Sequence, residues 1–174
     1  VQGRGDMGTG AVELFALRRA RPADCEAIAR VHVASWEAAY EGIIRAETIA
    51  HFDYMSRVSL WRRALRSGAS IWVAVEDGLV IGFVEVRGDE VTVLYLHPGW
   101  WRLGLGGNLM RRSLQEIAAS GYREAHLWVL AGNANARAFY SRLGGAAGDS
   151  RPVKVGRERL VELRYAWRLP ALTR

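Results

Sequence analysis

The 174-residue sequence predicts a single α/β domain built on one mixed sheet with helices on both faces. Three observations lead there. Stretches of period two and stretches of helical period alternate in the order strand, two helices, three strands, helix, strand, helix, two strands. Asp77-Gly78, between two apolar runs, marks a hairpin with a type I′ turn. Glycine or proline punctuates the changes of period, at Pro22, Gly42, Gly68, Gly121 and Gly144-Gly145.

Residues 1–10, VQGRGDMGTG, hold four Gly and almost no apolar side chains, and are expected to form a flexible lead to a domain spanning 11–174. Residues 13–19 read as the first strand. Pro22 and Asp24 open a helix that carries Ile28, Val31 and Ser35 or Trp36 on one face and ends near Tyr40 and Gly42. A second helical stretch over about 46–66 places Val58, Trp61 and Leu65 together, with Gly68 as its stop. Residues 71–76 and 79–86 form the arms of the hairpin. In the second arm Leu79, Ile81 and Phe83 alternate with Val80, Gly82 and Val84, so both faces are expected to be buried.

Residues 90–96 form a strand that ends at His97-Pro98-Gly99, and 105–120 a helix with Met110, Leu114 and Ile117 or Ala118 on one side. Residues 125–130 are a further strand, Asn133 an N-cap, and 134–143 a helix. In the tail, Val161, Leu163, Tyr165, Trp167 and Leu169 alternate with Glu162, Arg164, Ala166 and Arg168, as in a half-covered antiparallel strand. That long exposed tail strand offers an edge on which a homodimer can pair.

Composition narrows the function. The chain is 50% apolar and 24% charged with four Pro, and holds no apolar run near the roughly eighteen residues that cross a bilayer, so no membrane partner is expected. Cys25 stands alone and the first thirty residues lack a signal-peptide stretch, so the expected location is cytoplasmic. His32, His51, His97 and His126 are dispersed without ligand spacing, and no metal is expected. The net charge is +6, with Lys154 the single Lys among 24 basic residues. The Arg residues are spread through amphipathic elements without a helix-turn-helix or RNA-binding signature, so nucleic acid is not an expected partner. Their setting is informative, because 91–115 and 125–148 contain Arg but no acid, which points to a focused anion site.

The segment H97-P-G-W-W-R102-L-G104-L-G106-G107 lies between a strand and a helix. Such glycines let successive backbone N–H groups converge, and the helix N-terminus adds partial positive charge, which favours a polyphosphate. Leu109 stands where a dinucleotide fingerprint needs its third Gly, and no G-K-[ST] follows, so both common nucleotide motifs fail. A turn that merely packs a helix on a strand remains the alternative. In a second segment, Asn133 starts a helix and Tyr140 follows two turns on, so both can face one groove. A plain cap and a core aromatic are the alternatives there.

Together these segments resemble the GCN5-related N-acetyltransferases (GNAT), over about 14–169. The acetyl-CoA signature Q/R-x-x-G-x-G/A appears as W101-R102-L103-G104-L105-G106, and N-x-x-A-x-x-x-Y appears from Asn133 through Ala136 to Tyr140. Trp101 replaces the usual Gln or Arg, and Gly145 the usual Phe; Arg102 stands in for the lost charge. The resemblance implies a mixed, mostly antiparallel sheet of about seven strands, splayed between the fourth and fifth, with acetyl-CoA in the gap. It implies that Leu94, Tyr95 and Leu96 pair with the pantetheine arm through the main chain. It further implies that Arg102, Leu103, Gly104, Leu105, Gly106 and Gly107 hold the pyrophosphate, while Asn133 and Ala136 line the arm.

The implied reaction is acetyl transfer to a primary amine of a small molecule or peptide, by direct attack in a ternary complex. An amine of pKa about 10.4 is disfavoured in its neutral form at pH 7 by roughly 4.6 kcal/mol, so a base is valuable. Glu90 is the first candidate, because it matches a position where the family often carries a catalytic glutamate; Glu85 is the second, from its place on a buried strand face. A solvated charge is the alternative reading for each. Tyr140 resembles the family tyrosine that protonates the leaving sulfur. A backbone N–H near Leu96 would polarise the thioester oxygen. Trp36 and Tyr40, four residues apart, offer an aromatic wall to the acceptor. A catalytically silent acyl-CoA-binding module and, further off, a basic nucleic-acid-binding protein are the competing functions.

Overall fold

The computed structural model describes residues 15–170. The expected lead at 1–10 and the start of the first expected strand, Glu13 and Leu14, lie outside the described residues. Seven strands form one sheet: β1 (Ala16–Arg19), β2 (Ser70–Glu76), β3 (Leu79–Arg87), β4 (Glu90–Leu96), β5 (Glu124–Leu130), β6 (Ala146–Val155) and β7 (Glu158–Arg168), in the order β1-β2-β3-β4-β5-β7-β6. The helices are α1 (Cys25–Tyr40), α2 (Ala46–Ala50), α3 (Tyr54–Arg66), α4 (Leu105–Ala119) and α5 (Ala134–Arg142). Among the described residues no helix is long and apolar enough to cross a membrane.

Every neighbouring pair is antiparallel except β4 and β5, which are parallel and meet only where Glu90 faces His126. Along its other edge β5 pairs with β7 over its whole length, from Glu124 opposite Arg168 to Leu130 opposite Glu162, whereas its β4 edge is open beyond His126. Two strands that part after one contact leave unpaired backbone groups facing a gap, and such groups call for a ligand, a side chain or water. The sheet is therefore mostly antiparallel and splayed between its fourth and fifth strands.

Each face of the sheet has its own core. Leu105, Leu109, Met110 and Ile117 of α4 pack with Val84, Leu127, Tyr165 and Trp167. On the opposite face, Ile28 and Val31 of α1 and Val58 and Trp61 of α3 pack with Ile71, Val73 and Phe83. Burying each such side chain contributes about 1.5–3 kcal/mol. The hairpin turn has the expected geometry, with φ of 47° at Asp77 and 80° at Gly78.

Three expectations need correction. The helical stretch over 46–66 is two helices, because Asp53 caps α3 by accepting from the Ser56 N–H at 2.9 Å, and Phe52 turns inward to stack on Trp36. Leu79, Ile81, Phe83 and Glu85, which alternation alone would put on one face, are divided, for Ile81 does not share the face of Phe83 and Glu85: the register steps from Ala74 opposite Gly82 to Val75 opposite Val80, leaving Ile81 as a bulge. Ile81 thus joins the core under α4, while Phe83 lies under α1 and α3. Lastly, the tail strand β7 is an interior strand between β5 and β6, and the sheet edge on that side is β6. Near the hairpin end Val161 is 47% exposed, whereas Tyr165 and Trp167 are buried.

Candidate active site

The gap between β4 and β5 opens into a cavity of about 650 Å³. At one wall, α4 begins without a side-chain cap. Its N-cap, Gly104, has φ of 81°, and Arg102, two residues earlier, has φ of 66°, a left-handed conformation in a non-glycine residue. The first backbone bond of the helix is Asn108 N–H to the Gly104 carbonyl, so the N–H groups of Leu105, Gly106 and Gly107 have no partner within α4. Gly106 is closely packed, since a Cβ there would lie 3.0 Å from Phe139 Cζ and 3.3 Å from Leu96 Cδ1 and would press on both side chains. Arg102 and Arg142 line the cavity, and none of its described lining residues is an acid. Unpartnered amides, the positive end of a helix and two guanidinium groups suit a diphosphate.

The floor is β4. His97 N–H donates to the Ile81 carbonyl at 2.9 Å, so by antiparallel alternation the main-chain groups of Leu96 and Leu94 point away from β3 into the gap. The Leu96 carbonyl already accepts from Ser35 Oγ and, at 2.9 Å, from Trp101 Nε1. A carbonyl oxygen has two lone pairs, so this one is satisfied, and the free groups are the Leu96 N–H and those of Leu94.

Across the gap, Asn133 caps α5 by accepting from the Ala136 N–H at 3.0 Å, which leaves its amide nitrogen to donate. Two turns on, Tyr140 is buried at 8% exposure beside Tyr165 and Trp167. Burial, and then Tyr40, push its phenol well above the ordinary range, so it stays protonated at neutral pH. On the α1 side the Tyr40 and Tyr95 hydroxyls lie 3.1 Å apart, and burial raises both. His32 stacks on Tyr95 at 4.8 Å and accepts from Trp61 Nε1 at 3.2 Å; burial pushes it down to about 3, so it is neutral.

The sequence model of the Acetyltransferase (GNAT) family matches residues 28–145 of this chain. The chain belongs to the GNAT family. It is an acetyl-transferring enzyme by that membership. It is 27% identical over 139 residues to the Probable N-acetyltransferase Rv2775 of Mycobacterium tuberculosis, covering 72% of this chain and 76% of that one. In fold it is similar to a GCN5-related N-acetyltransferase from Rhodopseudomonas palustris, with a TM-score of 0.78 at 24% identity over 88% of this chain and 95% of that one. It is likewise similar to the PaiA N-acetyltransferase of Thermoplasma acidophilum in complex with coenzyme A, with a TM-score of 0.69 at 23% identity, covering 85% and 97%.

Within this GNAT domain the expected residues divide. Leu94, Tyr95 and Leu96 line the cavity from β4, Arg102, Gly104, Gly106 and Gly107 from the α4 end, and Asn133, Ala136 and Tyr140 from α5. Tyr40 lines it from α1. Leu103 points to solvent at 62% exposure, while the Leu105 side chain sits in the core at 1%. Trp36 lies behind Tyr40, stacked on Phe52 at 4.2 Å. Glu85 and Glu90 are not among the lining residues. Glu90 sits at the root of the gap, 4.0 Å from His126, whereas Glu85 is buried at 3% and bound by Arg87 and Thr92. Ser35, Thr92 and Trp128 also line the cavity and were not expected. Their periodicity carries no signal of it, because each reaches the gap through long-range pairing.

Proposed function

We propose that this protein transfers the acetyl group of acetyl-CoA to a primary amine of a small molecule or peptide, by direct attack in a ternary complex. The observation that carries this reading is that Gly106 and Gly107, whose amides have no partner within α4, and the protonated Tyr140 line one cavity. The coenzyme A complex of the PaiA relative supports it. Acetyl-CoA, when bound, supplies an activated acetyl carbon.

The chain's own groups have distinct tasks. The N–H groups of Leu105, Gly106 and Gly107, with Arg102, bind the diphosphate. Leu94 and the Leu96 N–H orient the pantetheine arm, and Asn133 and Ala136 flank it. The Leu96 N–H serves as donor to the thioester oxygen, where a preorganised amide is worth about 3 kcal/mol. Tyr140 Oη holds the proton that the departing thiolate takes. Tyr40 and Tyr95 face the acceptor, and the base is drawn from Glu85 and Glu90. We place the reaction in the cytoplasm, where Cys25 stays a thiol.

A thiol-release screen with acetyl-CoA against amino acids, polyamines, aminoglycosides and peptide N-termini tests the proposal. Release with at least one amine, with N-acetyl product by mass spectrometry, is expected. Coenzyme A binding without release by any acceptor would favour a silent acyl-CoA-binding module instead.

A further inference from the structure

We propose that Thr92 is a catalytic residue that carries the acceptor's proton from the cavity to the buried carboxylate of Glu85. This rests on the acetyl-transfer reading above and adds to it the route by which the amine is neutralised. No carboxylate or imidazole is among the described residues that line the cavity, so an amine there meets a base only through an intermediary. Thr92 lines the cavity, and its Oγ1 donates to Glu85 Oε2 at 2.6 Å. The other carboxylate oxygen, Oε1, accepts from Arg87 Nη2 at 2.7 Å and Nε at 3.0 Å. Cavity, hydroxyl, carboxylate and guanidinium thus follow one another, and Arg87, 61% exposed at the outer end, occupies Oε1 and leaves Oε2 as the oxygen that meets the Thr92 proton.

A register fault creates this line. Glu85 pairs with Val93 and Val86 with Val91, so Thr92 is an extra residue in β4. Bulges re-aim side chains and recur beside active sites. Here the bulge lets a residue whose neighbours Val91 and Val93 belong to opposite cores line the gap while its hydroxyl bonds Glu85. Charged groups on the neighbouring elements have partners of their own, and Glu116 of α4, which lines the same outer trough as Arg87, pairs with Arg19. Arg87 is the ion-pair partner of Glu85; Glu90 of β4 and Asp89 face His126 of β5; Glu26 of α1 pairs with Arg62 of α3; and Arg63 of α3 shares that outer trough with Arg87.

The step balances. One N–H proton of the acceptor's ammonium passes to Thr92 Oγ1 as the Thr92 hydroxyl proton passes to Glu85 Oε2, leaving a neutral amine and a protonated carboxyl. The amine's N–C bond then forms as the thioester C–S bond breaks. Tyr140 gives its proton to the sulfur and regains one from the acylated nitrogen, and Glu85 returns its proton through Thr92 Oγ1 to the cavity, where solvent takes it once the products have left.

The test compares wild type with Thr92→Val, Thr92→Ser, Glu85→Gln and the double variant Thr92→Val/Glu85→Gln. Thr92→Val and Glu85→Gln are each expected to lower kcat about 10²-fold at pH 7, with the loss shrinking as pH rises and the amine neutralises itself. Coenzyme A affinity measured by calorimetry should stay within about twofold. Thr92→Ser should restore most of the activity, and the double variant should be no worse than either single. In the free protein, the isotope-edited infrared carboxylate band identified by Glu85→Gln should move in Thr92→Val and return in Thr92→Ser. A Thr92→Val pH–rate profile superimposable on wild type, an additive double variant, or a Thr92→Ser variant as slow as Thr92→Val would overturn the relay while leaving acetyl transfer standing. A wild-type chain that releases no thiol with any amine would remove both.

Discussion

The hydroxyls of Tyr40 and Tyr95 lie 3.1 Å apart, joining the end of α1 to the middle of the cavity floor. Each is the other's hydrogen-bond partner, so removing one leaves the second unpaired on a largely apolar wall. Tyr40→Phe and Tyr95→Phe should each cost about 1 kcal/mol of stability, and the double variant should cost less than their sum. Urea denaturation of the four proteins measures the coupling. Additive losses would mean that the pair is not energetically joined.

Tyr140→Phe removes the proton proposed for the leaving sulfur and keeps the ring against Trp167 and Tyr165. The kcat should fall at least about tenfold while coenzyme A affinity stays within about twofold. Steady-state kinetics beside calorimetry separates the two. Unchanged turnover would strip Tyr140 of its acid role.

Gly104 caps α4 at φ of 81°, in open space with no atom near its missing Cβ. Steric conflict is absent, so only backbone strain opposes a substitution. Gly104→Ala should cost about 1 kcal/mol, lower Tm by about 3 °C, and weaken coenzyme A binding about tenfold by tilting the amides of 105–107. A variant that melts lower but binds as wild type would place the diphosphate elsewhere.

Much of this site is legible in the sequence because its chemistry is local. Gly104, Gly106 and Asn133 announce themselves through turn and cap preferences that depend on near neighbours, and so does the Asp77-Gly78 hairpin. The Asp53 cap that splits the second helical stretch had a local signal too, an Asp three residues before Ser56, masked by the apolar period running across it. The bulges at Ile81 and Thr92 had none. A bulge is a relation between two strands, and period-two counting within one strand passes straight over it. The contact of Ser35 with Leu96 spans 61 positions and follows only from α1 packing across β4. The same reason hid β7's place inside the sheet: alternation reports which face is covered, not which strands lie on either side.

His32 predicts an acid sensitivity with a definite sign. Burial, with the Arg57 charge adding to it, pushes its imidazole down to about 3, against about 6.5 in an unfolded chain. Below about pH 6.5 the unfolded state binds a proton that the folded state refuses. Stability from this site is therefore complete above that pH and falls as pH drops toward 3, by up to ~1.4 kcal/mol per unit. Urea midpoints between pH 7 and about 4.5 should fall more steeply for wild type than for His32→Phe. Parallel slopes would show that His32 does not carry the effect.

Every catalytic role proposed for this site requires the diphosphate cradle at the start of α4. Isothermal titration of the intact protein with coenzyme A tests it without needing the acceptor. The expected result is a single site per chain with binding heat that weakens in Gly104→Ala. No heat at millimolar coenzyme A, from a protein that melts cooperatively, would contradict the account.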